Sequence, residues 1–165
     1  MTAVPATSAV PAATVGFDPD EIRTGEPTRA ARLKWVVVVD EELAPGQAAN
    51  AVVCVTAATA SGVTGLLGPD AADADGTVHP GLPWAGCTVL GASRAELAAV
   101  RAKAHAAPGV HVSDMPAAAQ RTRVYDEYLA EVAARPAGGQ EYLAVSLVGP
   151  RNRVDKVVGR LRLLG

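Results

Sequence analysis

Cysteine is scarce in this 165-residue chain, which holds only Cys54 and Cys87. Both lie in apolar runs with no His or Cys partner at metal-ligand spacing. A disulfide framework is therefore excluded, no metal site is indicated, and both are expected as free thiols in a reducing cytoplasm. Strong positive charge is missing too. The formal net charge is −2, which argues against affinity won by neutralising many phosphates and makes nucleic acid an unexpected partner. Basic residues gather only near the end, at Arg151, Arg153, Lys156, Arg160 and Arg162, where they read as the solvated face of a terminal helix and its flanks. No apolar run approaches a membrane span. The opening MTAVPATSAVPAATVG lacks the early basic residues of a signal peptide, and its prolines interrupt any apolar core.

What is present is organised around Lys34–Thr59, KWVVVVDEELAPGQAANAVVCVTAAT. Four consecutive valines are too uniform for a half-wet alternating strand and predict one covered on both faces. Pro45-Gly46 turns it into an Ala/Val-rich helix. Unpaired backbone N–H groups gather where such a helix begins, so Gly46–Asn50 is the expected edge of a binding site.

Residues 1–16 read as a disordered or loosely docked tail and 17–165 as a single domain, with Phe17 packing on it. Gly86–Leu90 predicts a second strand. Ser93 and Glu96 form a capping box for a helix with Leu97, Val100 and Ala104 on one stripe. Val110–Ser113 predicts a third strand, with Asp114 directly beyond it to cap the next helix or face a cleft. Pro116–Ala134 reads as one amphipathic helix turning Val124, Tyr128, Leu129 and Val132 to the core. Glu141–Val148 is the fourth strand, Gly149-Pro150 starts the last helix, and Leu161–Leu164 ends the chain as a short strand or docked tail. Alternating strands and helices give a three-layer α/β/α sandwich on a four-stranded mixed sheet. The loop with Asp70, Asp73, Asp75 and His79 lacks the oxygen spacing of a calcium loop and reads as a solvated turn. His79 faces either a cleft or the surface.

WVVVVDEELAPGQAANAVVCVTAAT resembles the opening strand, turn and helix of type 2 peptidyl-tRNA hydrolases, and VGPRNRVDKVVGRLRLLG resembles their closing segment. The middle is similar to an uncharacterised bacterial branch of that superfamily. The resemblance implies that fold and a homodimer, with Leu66-Leu67 or Leu163-Leu164 as contacts. It also implies a catalytic Asp at Asp114. The family's turn lysine falls on Gln47 or Ala49, and its histidine on Thr56 or Cys54. The reading is thus a hydrolase-like scaffold without the Lys and His, binding or acting on a small molecule by hydrolytic or acyl-transfer chemistry. Gly46, Gln47, Asn50, Thr56 and His79 are candidate ligand contacts, and Asp114 and Cys54 candidate catalytic groups. Asn50 and Cys54 share a helix face one turn apart. Cys54 is either a nucleophile, which needs a base brought by folding, or a buried structural thiol. A non-catalytic homodimeric interaction protein and a divergent hydrolase using Asp114 are the alternatives.

Overall fold

The computed structural model describes residues 14–165. The expected tail falls mostly at 1–13, outside the described residues. At its end, Gly16 bridges to Thr64.

Strand β1 (Leu33–Asp40) is the centre of the sheet, buried at every residue from Trp35 onward. The valines alternate between two apolar clusters. Val37 and Val39 belong to one, and Val36 and Val38 to the other. Helix α1 (Pro45–Gly62) covers the first face. Pro45 occupies its first turn, where a missing N–H costs nothing. A hairpin of β2 (Ala71–Ala72) and β3 (Val78–His79) follows, and then β4 (Thr88–Ala92) and α2 (Arg94–Ala106). The Ser93–Glu96 capping box forms as expected, and Leu97, Val100 and Ala104 are the buried stripe of α2. Next come β5 (His111–Pro116), the single turn α3 (Ala118–Arg121) and α4 (Tyr125–Ala133). The chain closes with β6 (Tyr142–Pro150), α5 (Arg151–Val158) and β7 (Arg162–Leu163).

The sheet is mixed and has five strands in the order β5-β6-β1-β4-β7. The expected count of four is corrected by β7, whose Leu163 and Arg162 pair with Leu90 and Gly91. β4 runs parallel to β1 and β6 antiparallel to it. Helices α2 and α5 contribute Leu97, Val154 and Val158 to the second cluster, so both faces of the sheet are covered.

Two further expectations change. The segment 116–134 is not one core-facing helix. Strand β5 continues through Pro116, and Thr122 breaks the helix in an extended conformation. Helix α4 buries none of its residues, and Val124, Tyr125 and Leu129 are exposed large apolar side chains. Asp114 is inside β5, paired in register with Val145, rather than beyond its end.

A chain of polar groups ties the first face together. The Trp35 indole N–H donates to Ser146 Oγ at 2.9 Å, Ser146 and Thr59 hydroxyls are 2.7 Å apart, and Thr59 Oγ1 reaches the Val55 carbonyl at 2.7 Å. Each hydroxyl has one proton, so one arrangement satisfies all of them: indole to serine, serine to threonine, threonine to carbonyl. Ser146 and Thr59 are fully buried, so every member needs this partner.

Residues 14–32 lie across one end of the domain. Phe17 is buried as expected, its ring centroid 4.8 Å from that of Trp84. Arg32 lies over the same ring, donates to the Gly16 carbonyl and pairs with Glu21. The Arg32 hydrogen bonds, then the Asp18 backbone N–H, hold the Glu21 carboxyl down at about 2. Gly65 has φ +69, and a side chain there would meet the Phe17 backbone, so this seat requires glycine.

Candidate functional site

Strand β5 is an edge of the sheet, paired only with β6. Its outer side faces a groove of about 620 Å³ with α1 as one wall and the α3–α4 segment as the other. Asn50, Cys54, Ala57 and Ala58 come from α1; Asp114 and Met115 come from β5. The opposite wall is Ala119, Thr122, Arg123, Val124, Tyr125 and Tyr128.

Local sequence explains why these side chains meet here. The buried stripe of α1 is Ala48, Ala51, Val55 and Thr59, which sets the helix phase and leaves Asn50, Cys54, Ala57 and Ala58 on the other side. Cys54 is consequently exposed, and the buried-thiol reading is corrected. Cys87 is an exposed position too, but desolvation by its surroundings pushes its thiol up to about 11. At the groove's end the Gln120 side-chain amide donates to the Gln47 carbonyl at 2.9 Å and to Asn50 Oδ1 at 3.1 Å. That clamps α3 onto the first turns of α1 and leaves the Asn50 NH₂ as a donor.

The electrostatics of the groove are asymmetric. Asp114 is in register with Val145, which belongs to the α2-side cluster, so its carboxylate points to that face. There Oδ2 accepts from Arg101 Nε at 2.7 Å, and the Arg101 guanidinium lies 4.8 Å over the Tyr142 ring. The acid is therefore a neutralised ion pair reached around the sheet edge. The Tyr125 and Tyr128 rings are 5.4 Å apart and tilted by 55°. Burial, then Tyr125 and Asp114, raise the Tyr128 phenol above its usual value.

The structure thus brings together three of the residues expected from sequence: Asn50, Cys54 and Asp114. Gly46, Gln47, Thr56 and His79 do not line the groove. Gly46 has no neighbour within 4 Å of where a side chain would start, so no close backbone approach explains it. Thr56 falls outside the exposed stripe of α1. His79 is on the β2–β3 hairpin, 3.5 Å from Asp73, whose carboxylate also accepts from the N–H groups of Asp75 and Thr77 at 2.9 Å. The hairpin is a self-satisfied turn, as the sequence suggested. His105 and His111 border a separate hollow with Gly62. No histidine lines the groove, so no imidazole stands beside Cys54 to act as its base.

Sequence reasoning missed Arg123, Tyr125 and Tyr128 as site residues. A signal existed: two of only three tyrosines stand three residues apart, a side chain suited to surfaces that are apolar on one side and wet on the other.

Among the described residues no helix is long and apolar enough to cross a membrane, and no three His, Cys, Asp or Glu side chains cluster as metal ligands. A family model described as "Protein of unknown function (DUF2000)" matches residues 33–165. The chain is similar to the solved structure of a protein of unknown function, Atu0240, from Agrobacterium tumefaciens strain C58. The identity is 16% and the TM-score 0.71, over 80% of this chain and 97% of that one. At that identity the likeness shows a shared fold. No curated protein matches. These comparisons show a family of unknown function and no tie to the peptidyl-tRNA hydrolases.

Proposed function

The chain belongs to the DUF2000 family, and we propose that it is a small-molecule-binding protein whose site is the groove between α1, the β5 edge and α4. The observation that carries this reading is the groove itself. It collects an amide, a thiol, two phenols and an apolar lining of Ala57, Ala58, Met115 and Ala119, the mixture of apolar surface and few convergent polar groups expected of a ligand site. The hydrolase-like scaffold remains part of the proposal. Of the two segments that resemble type 2 peptidyl-tRNA hydrolases, one supplies β1 with α1 and the other the end of β6 with α5 and β7, all parts of one sheet and its covering helices.

Binding is favoured over hydrolysis or acyl transfer on chemical grounds. A general base needs a lone pair aimed at water or nucleophile, and the Asp114 carboxylate is turned to the α2 face, where Oδ2 accepts from Arg101. Peptidyl-tRNA would need a cationic surface, and the groove lining holds one cation, Arg123. In a titration of the ¹⁵N-labelled chain with a fragment collection, bound fragments are expected to shift resonances of residues 50–58 and 114–128. Those shifts should weaken in Asn50→Ala and Tyr128→Ala. Fragments that bind elsewhere, or shifts indifferent to both variants, would overturn the site.

A homodimeric interaction protein is the second reading, favoured by one observation. None of the eighteen residues of α1 is charged, although most of the helix is exposed, with Val53 at 64%. A twofold contact brings like against like, and an uncharged face meets its own copy without repulsion. Sedimentation would show a dimer that Val53→Asp dissociates; a monomer at all concentrations removes this reading.

A further inference from the structure

Arg123 is the residue whose position the ligand-binding proposal leaves without a purpose. It stands on the short link between α3 and α4, exposed, on the rim of the groove. Every other arginine of that neighbourhood is engaged. Arg121 pairs with Glu131 and Glu141, Arg135 with Glu131, and Arg101 with Asp114. Arg123 makes no ion pair within 4 Å with any described residue, even though Asp126 and Glu127 follow it at helical spacing. The charge balance of the groove is thus one acid already neutralised and one cation that is not.

Beside that cation stand two aromatic rings and a run of small apolar side chains. Tyr125 and Tyr128 form one side, and Ala57 and Ala58 on α1 form the other. Side chains no larger than a methyl leave width opposite the two rings, and ring faces prefer an aromatic or planar apolar partner. A cationic ligand would be repelled by Arg123. A phosphate group carries nearly two negative charges, and the lining supplies one unpaired cation to balance them. One guanidinium fork matches one carboxylate in a bidentate pair.

We infer that the groove takes a monocarboxylate with a flat aromatic or apolar body, its carboxylate held by Arg123 and its body between Tyr125, Tyr128 and the α1 alanines. This rests on the groove being the binding site and names the chemical class that it selects. The Asn50 NH₂ and the Tyr128 hydroxyl are then donors for a second polar group on the ligand.

The test uses the full chain, ¹⁵N-labelled, titrated with 2-naphthylacetate and with 2-naphthaleneethanol, which has the same ring and no charge. The acid is expected to shift groove resonances and to bind at least tenfold more tightly than the alcohol. Arg123→Gln should abolish that difference while leaving the alcohol's affinity unchanged, and Arg123→Lys should restore part of it. Because Arg123 is exposed, these variants keep the fold, which unchanged resonances outside the groove will verify. Equal binding of acid and alcohol, or indifference to Arg123→Gln, overturns the carboxylate assignment and leaves the groove standing. The assignment is overturned in the same way if neutral fragments occupy the groove and the acid does not. If no compound of either kind shifts a groove resonance, the site itself falls and this inference with it.

Discussion

On one face of the sheet the long helix is α1, with no charge along its length; on the other lie α2 and α5, both charged and both tied to strands by ion pairs. Lys34 of β1 pairs with Asp155 of α5, Arg94 of α2 with the fully buried Asp40, and Arg101 of α2 with Asp114. The charged side is sealed: its helices bury an aliphatic stripe and anchor their polar atoms at the rim. The uncharged side is held instead by a buried chain of three hydrogen-bonding side chains and by residues 14–32. It leaves one flank of α1 open to the groove. Stability is shared by both faces, whereas the proposed site belongs to one.

The sharpest way to break that contrast is to truncate one large side chain on each side of it. Leu97→Ala empties a fully buried position under α2 and is expected to cost about 2–5 kcal/mol in urea unfolding. Tyr125→Ala, on the groove wall, should change stability by no more than about 0.5 kcal/mol. An equal loss from the tyrosine would make α4 part of the core and close the groove as a site.

Next in size is the polar chain on the α1 side. Ser146→Ala leaves the Trp35 N–H and Thr59 without their shared partner and should cost about 1–3 kcal/mol, again by denaturant unfolding. A negligible loss would mean that α1 is held by apolar contact alone and that the two faces are closed in the same way.

The smallest effect concerns His111, which faces Gly62 of α1 and Ser113 of its own strand, 2.9 Å from the serine hydroxyl. Desolvation lowers its pKa from the ordinary 6.5. The unfolded chain therefore takes up a proton at about pH 6.5, before the folded chain does. Stability from this group is complete above that value, declines as pH falls from there through the folded pKa, and then levels. Unfolding midpoints measured from pH 7.5 to 5 should fall, and His111→Gln should flatten the curve. Carboxylates such as Glu21 lose their contribution only at lower pH.

The sealed side of this comparison was largely legible in the sequence. The Ser93–Glu96 box and the Leu97, Val100, Ala104 stripe name a helix start and the face it buries, because apolar and charged residues alternate with clear contrast. The valine run of β1 is equally plain. The open side was harder to read. Helix α1 is apolar or small all round, so sequence periodicity does not set its phase, and Cys54 passes for a buried residue. In α4 the stripe of Val124, Tyr128 and Leu129 is real, but periodicity says only that residues share a face and not that anything covers it. Asp114 borders the groove, but its partner Arg101 lies thirteen residues earlier on helix α2, a pairing that only the fold brings about.

The placement of the two indoles gives the molecule a pair of internal optical gauges. Trp35 is 4% exposed and donates its N–H to Ser146, so its emission should be blue-shifted and shielded from iodide until the whole sheet comes apart. Trp84 packs against Phe17, the rings tilted by 59°, and donates to the Gly65 carbonyl at 2.8 Å, so its emission reports whether residues 14–32 are seated. A red shift that precedes the loss of sheet signal on mild denaturation would mark the release of that segment as a separate step, with no label added to the chain.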